Sequence, residues 1–410
     1  MTTNWKKTFA IIWAGQLFST LSSTVVGYAV IFWLSIKTGS AEVLAVSTIA
    51  TLLPQLVLGL FTGVLVDRWD RRKTMIVADL FIALCSGVMA LLFWVGETSI
   101  GYIYLLLALR SVGSAFHVPA MQASTPLIAP ESQLMRVAGV NQSIFSVSTI
   151  AGPAIAALFV NSLSMTHALM FDVLGAILAT VSLLMVKIPN PEKREGSEDS
   201  GAMVRELKEG FNALLHMPGL KWLFIFIVLA TFFIVPVATI FPLMTLDHFN
   251  GTTYQMSLIE IVWGVGMLAG GGIMSLPKFN FNKIVLINIM YIILGLTFFF
   301  SGFLSAQGFL FFAIFTTIGG IAAAIFHGSF TVVMQTSLDP AVMGRAFSIF
   351  DTFTMLPAMV GLLLTGYIAD HIGITNAFII SGAVITAIGI VSFFVPSLMH
   401  LNKPAVKSNT

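Results

Sequence analysis

Arg110, Asp172, Glu260 and Asp351 each stand inside a long apolar run. An ionisable side chain buried in lipid costs at least about 2.5–3.5 kcal/mol on insertion scales, so each marks a candidate functional position. The chemistry open to the three carboxyls in such surroundings is proton carriage. Ser114, His117 and Met121 follow Arg110 at helical spacing, and the four residues share one face. That face is expected to line a central cavity; the alternative for Arg110 is a structural ion pair. For Asp172, a buried pair with Arg110 and proton carriage are equally open. Glu260 has no basic neighbour among the apolar runs of its own half, and a desolvated carboxyl holds its proton readily, as a proton carrier must. Asp351 is expected either to pair with Arg345 or to carry a proton.

Two histidines, His117 and His327, occur at matching places in the two halves of the chain. Imidazole titrates at about pH 6.5, so both could change charge during a reaction cycle, and both are expected to face one cavity. Gln16, Ser19, Ser23 and Gly27 form a polar stripe expected on the same cavity. No metal-ligand spacing accompanies the histidines, so no metal site is expected. No Ser-His-Asp order, paired-carboxylate arrangement or phosphate-binding P-loop is present, so neither an enzyme nor a nucleotide-driven machine is expected. No cofactor is expected.

Only a membrane can position such residues. Of the 410 residues, 57% are hydrophobic and 9% charged, and the mean hydropathy is +0.95. Soluble domains carry about 25% charged residues, so this chain cannot cover a water-facing surface. Its single cysteine, Cys85, excludes an intrachain disulfide. A net charge of +2 gives no indication of nucleic acid as a partner. Residues 1–7 lead directly into an apolar run, which is expected to remain as the first membrane helix.

A bilayer core of roughly 30 Å takes about 20 apolar residues of helix. Twelve such runs occur, at approximately 9–35, 42–66, 74–95, 100–123, 137–161, 166–187, 220–246, 254–276, 284–304, 308–334, 345–369 and 373–396. They are continuous rather than alternating, which indicates helices and not barrel strands. Of the 20 Lys and Arg residues, all but Lys37 and Arg110 fall on the side of the N-terminus. Both termini are therefore expected in the cytoplasm. The fold class is an all-α integral membrane protein of two pseudo-symmetric six-helix bundles. Residues 1–187 form the first bundle and 220–410 the second bundle with a short tail. Residues 188–219 form a cytoplasmic linker, polar at first and then amphipathic. Phe116-His117 and Phe326-His327 are each followed by a proline, Pro130 and Pro340, and a basic residue, Arg136 and Arg345; the offset is about half the chain, as duplication would give. Pro236 and Pro242 are expected to kink the seventh helix.

Between the second and third runs lies "GVLVDRWDRRK", Gly63 to Lys73, the densest charge in the chain. Gly63, Asp67, Arg68, Arg71 and Arg72 resemble the loop signature of the major facilitator superfamily, with Asp70 at a position usually glycine. Arg110 resembles that superfamily's fourth-helix motif, which implies a part in proton transfer. "STIAGPAIAA" in the fifth run, with Gly152 and Pro153, resembles its exporter motif. The stretches "NWKKTFAIIWAGQ", "RSVGSAFHVPA" and "FDVLGA" further resemble macrolide-efflux permeases of Gram-positive bacteria. The resemblance implies a monomeric exporter of bulky amphipathic drugs, macrolide-type first, by proton antiport and alternating access. Its partners would be the hydrophobic substrate, protons and the bilayer. It also implies that Asp67 faces the start of the eleventh helix. Asp70 is expected to pair locally with Arg71 or Lys73, and Asp79 to join the loop's charge network. The alternatives are export of another solute, such as a siderophore or lysophospholipid, and a non-transporting membrane sensor.

Overall fold

The computed structural model describes residues 5–130, 134–188, 217–274, 281–338 and 340–401. Among them no strand is present, and twelve helices are long and apolar enough to cross a membrane. We number these α1 (Trp5–Thr38), α2 (Ala41–Arg68), α3 (Arg71–Val95), α4 (Ile100–Ile128), α5 (Leu134–Ser162), α6 (Met165–Leu184), α7 (Pro218–Thr239), α8 (Thr253–Met274), α9 (Lys283–Gly302), α10 (Phe309–Ser337), α11 (Pro340–Ile372) and α12 (Ile374–Ser392). All twelve expected helices are present. The expected linker helix lies outside the described residues.

The helix boundaries follow local chemistry. Asp70 is extended and caps α3, accepting from the Lys73 backbone N–H at 2.9 Å. The carboxylate thereby serves an orphan amide of the first turn. Ser164 caps α6 and Asn282 caps α9 in the same way. Pro242 has no amide to offer the Ala238 carbonyl, and α7 breaks at Ile240. The chain continues as a helical turn, Phe241–Leu243, and a π-helical turn, Met244–His248.

The chain divides into two units. The first comprises Met1–Gly39, Val46–Gly196 and Gly251–Ile261; the second comprises Ser40–Ala45, Ser197–Asn250 and Val262–Thr410. In the first, Ile12, Trp13, Met75, Ala120, Ile128, Val137 and Leu183 form a buried cluster. In the second, the buried Phe241 ring is surrounded by Trp263, Phe298, Phe312 and Phe378, with centroids 5.7–5.9 Å away. Offset and edge-on aromatic pairs of this kind each add about 0.5–1.5 kcal/mol beyond area burial. Outward-facing Leu84, Trp94, Leu105 and Phe394 are exposed, as helices solvated by lipid require.

Hydrogen bonds explain two features of this division. Ser40 accepts from the Val43 amide, while the Asp370 carboxylate on α11 accepts from the amides of Ala41 and Glu42 at 2.7 and 3.1 Å. Asp370 also accepts from the Ser40 hydroxyl at 2.6 Å. The first turn of α2 is thus held within the second unit. At the start of α8, the Tyr254 and Ser162 hydroxyls lie 3.2 Å apart, within the first unit.

Candidate functional site

Asp172 sits in α6 with 1% of its surface exposed, and its oxygens are crowded with donors. From α1, Ser22 and Ser23 donate to Oδ1 at 3.2 and 2.8 Å. From α3, Ser86 donates to Oδ2 at 2.7 Å. From α4, the Arg110 guanidinium forms an ion pair with the same Oδ2 and also meets the Ser86 hydroxyl. Arg110 is 9% exposed. Four helices therefore converge on one buried carboxylate. Their approach depends on Gly175, one turn beyond Asp172, where a Cβ would lie 2.1 Å from Ser22 Oγ and 3.0 Å from the Phe18 carbonyl.

Several of the residues expected on the cavity have partners within the first unit. Ser23 faces Asp172, because a buried carboxylate takes the nearest hydroxyl donors. Met121 packs on the hydrophobic cluster of the first unit, and His117 turns towards α3. Asp79, expected in the loop network, is buried with its Oδ1 3.3 Å from His117 Nε2. Ser114 donates to the Arg110 carbonyl at 3.3 Å, an ordinary intrahelical bond. Gln16 is buried, Ser19 is half-buried, and His327 is exposed on α10.

Glu260, half-buried in α8, pairs with the Tyr28 hydroxyl of α1 within the first unit. Asp172 and Glu260 thus differ in kind. Asp172 has an ion-paired guanidinium and three neighbouring hydroxyls around it, whereas the side-chain partner of Glu260 is the Tyr28 hydroxyl. Gly152 and Pro153 are buried in α5, and Gly152 lies against Thr24 and Tyr28 of α1.

In the charged loop, Arg71 donates to the Ala123 carbonyl of α4 at 2.6 Å. Arg72 donates to the Leu183 and Leu184 carbonyls at 2.8 and 2.9 Å, placing a cation on the C-terminus of α6. Arg71 and Arg72 therefore tie α3 to α4 and α6. The side chains of Asp67, Arg68, Arg345 and Asp351, and the surroundings of Gly63, lie outside the described residues. The expected contact between Asp67 and the start of α11 lies outside them too.

Sequence reasoning missed Ser22, Ser86, Tyr28 and Asp370. Serine is common in membrane helices, and a serine seven residues from Asp79 on the same helix face was the available signal for Ser86. Asp370 acts on amides more than three hundred positions away, and local sequence carries no sign of that.

A profile of the Major Facilitator Superfamily matches residues 12–303. The chain belongs to that superfamily. Among relatives of this superfamily member, macrolide efflux protein A of Streptococcus pyogenes is 37% identical over 399 residues, spanning 97% of this chain and 98% of the relative. Macrolide efflux protein A of Enterococcus faecalis is 37% identical over 324 residues, 79% of this chain and 100% of that protein. The multidrug efflux pump Tap of Mycolicibacterium fortuitum is 24% identical over 382 residues, 90% and 91% of the two chains. The same fold occurs in the nucleoside transporter NupG, with a TM-score of 0.73 at 14% identity, covering 95% of this chain and 99% of that one. This superfamily member is a multi-pass membrane transporter with an architecture shared by many carriers.

Proposed function

We propose that the chain is a secondary active exporter of bulky amphipathic drugs, macrolide-type first, exchanging drug for protons by alternating access. The observation carrying this reading is the 37% identity to macrolide efflux protein A across nearly the whole of both chains. Truncated or single-bundle likeness would not support transfer of substrate class; likeness spanning both six-helix sets does. The basic-residue asymmetry supports cytoplasmic termini in the bacterial plasma membrane.

Within this reading the buried carboxyls divide the work. Asp172, saturated by Arg110 and three serine hydroxyls, holds α1, α3, α4 and α6 in register. Glu260, away from basic residues of its own half and with Tyr28 as partner, is the carrier. Protonation of Glu260 from outside would neutralise the carboxylate and favour release of a cationic drug, and deprotonation inside would reset it.

The substrate assignment is tested by macrolide accumulation in a susceptible bacterial host. Expression of the chain is expected to lower accumulation of radiolabelled erythromycin, reversed by a protonophore. Equal accumulation with and without the chain, at verified membrane expression, would contradict it.

A further inference from the structure

α3 and α4 run antiparallel, and their facing residues form three levels. At one level Ser86 meets Arg110. At the next, Gly113 faces Ile82, whose Cγ1 would be 2.6 Å from a Cβ on the glycine. At the third, Asp79 Oδ1 is 3.3 Å from His117 Nε2. The outer levels are seven residues apart, or about 10 Å along the helices.

The third level holds two titratable groups that the proposed mechanism leaves unused. The Asp79 side chain is 3% exposed and that of His117 13%. Asp79 Oδ2 is buried with no hydrogen-bond partner among the described residues. A lone carboxylate so placed is costly, and one proton shared with the imidazole relieves that cost. Among the described residues, the other charged groups of these helices have partners of their own or lie at helix ends. On α3, Arg71 is engaged by the Ala123 carbonyl. On α4, Arg110 is committed to Asp172 of α6. The remaining charged residues of these helices and their packed neighbours are Arg72 and Lys73 in the first turn of α3, His167 in the first turn of α6, and Lys6, Lys7 and Lys37 at the ends of α1; the side chains of Arg136 on α5 and of Asp67 and Arg68 on α2 lie outside the described residues. α9, the counterpart of α3 in the second half, has no carboxyl, so the pair is peculiar to the first half.

We propose that Asp79 and His117 form a second proton-binding site, distinct from Arg110–Asp172 and from Glu260. His117 Nε2 is also buried and without a hydrogen-bond partner among the described residues; the proton is held between Nε2 and Oδ1 and exchanges with water by way of the partly exposed imidazole ring. The site lies about two turns from the α3 start, so it exchanges with the face bearing the charged loop. Its part in the transport cycle rests on the antiport reading; its existence does not.

The test is histidine NMR on the full-length protein, isotopically labelled at its seven histidines and reconstituted in lipid nanodiscs. The resonance lost in His117→Gln identifies His117. We expect this resonance to move between about pH 5 and 8 in the wild type and to lose that response in Asp79→Asn. A static resonance in the wild type, or an unchanged response in Asp79→Asn, overturns the proposal. If Asp79→Asn does not fold, infrared difference spectra over the same pH range decide: a carboxyl band lost in His117→Gln supports the site, and its persistence overturns it. Titration of His117 together with absent drug-driven proton flux would support the site while contradicting antiport.

Discussion

At the scale of single residues, the Arg110–Asp172 pair illustrates how lipid forces polar groups to find one another. Both residues were legible as functional positions from their charge inside apolar runs, and their pairing was one of two readings open at that stage. The serines that complete the shell were not legible, because hydroxyls cost little in a helix and leave no compositional trace. The pair predicts a sharp asymmetry between single and double substitution. Arg110→Ala leaves the Asp172 carboxylate buried without its counter-charge and is expected to cost about 3–5 kcal/mol. Replacing both residues by apolar side chains of similar volume is expected to recover most of that loss. Thermal unfolding in detergent measures both, and a single variant as stable as the wild type would refute the assignment.

At the scale of elements, helix ends were the least legible feature and carry much of the long-range order. The twelve helices follow from run length alone, and the break between α5 and α6 rests on the Ser164 cap in an otherwise apolar stretch. The Asp370 cap on α2 contributes about 0.5–2 kcal/mol, typical of a side-chain cap. It also has an electrostatic consequence nearby. Asp247, in the π-helical turn after α7, has its carboxyl pushed above the ordinary value of 3.8 by burial first and by the charge of Asp370 second. The folded protein therefore retains a proton on Asp247 at pH values where the unfolded chain has released it. Stability from this group is fully present below about pH 3.8 and is lost as pH rises through the folded value. Asp247→Asn is expected to remove that decline, seen as a flatter melting temperature from about pH 4 to about pH 7. An identical slope in the variant and the wild type would count against the contact.

At the scale of the whole molecule, membrane residence and the superfamily fold were legible from composition, run length and the charged loop, because lipid permits few solutions for a chain this apolar. What sequence left open was which polar groups face each other within a unit. Ser23, His117 and Met121 share helix faces that suggested a common cavity; the structure adds a partner for each within the first unit, Asp172, Asp79 and the hydrophobic cluster. Helical periodicity reports a face; it does not report which neighbour that face meets. In the proposed mechanism, macrolide export is driven by protons carried on Glu260. Proteoliposomes holding an imposed pH gradient, with a pH-sensitive dye inside, test it most directly. Erythromycin addition is expected to accelerate proton flux through the wild type and to leave flux at the protein-free level in Glu260→Gln. Drug-stimulated flux of wild-type size in Glu260→Gln, with the variant folded and inserted, would contradict the account.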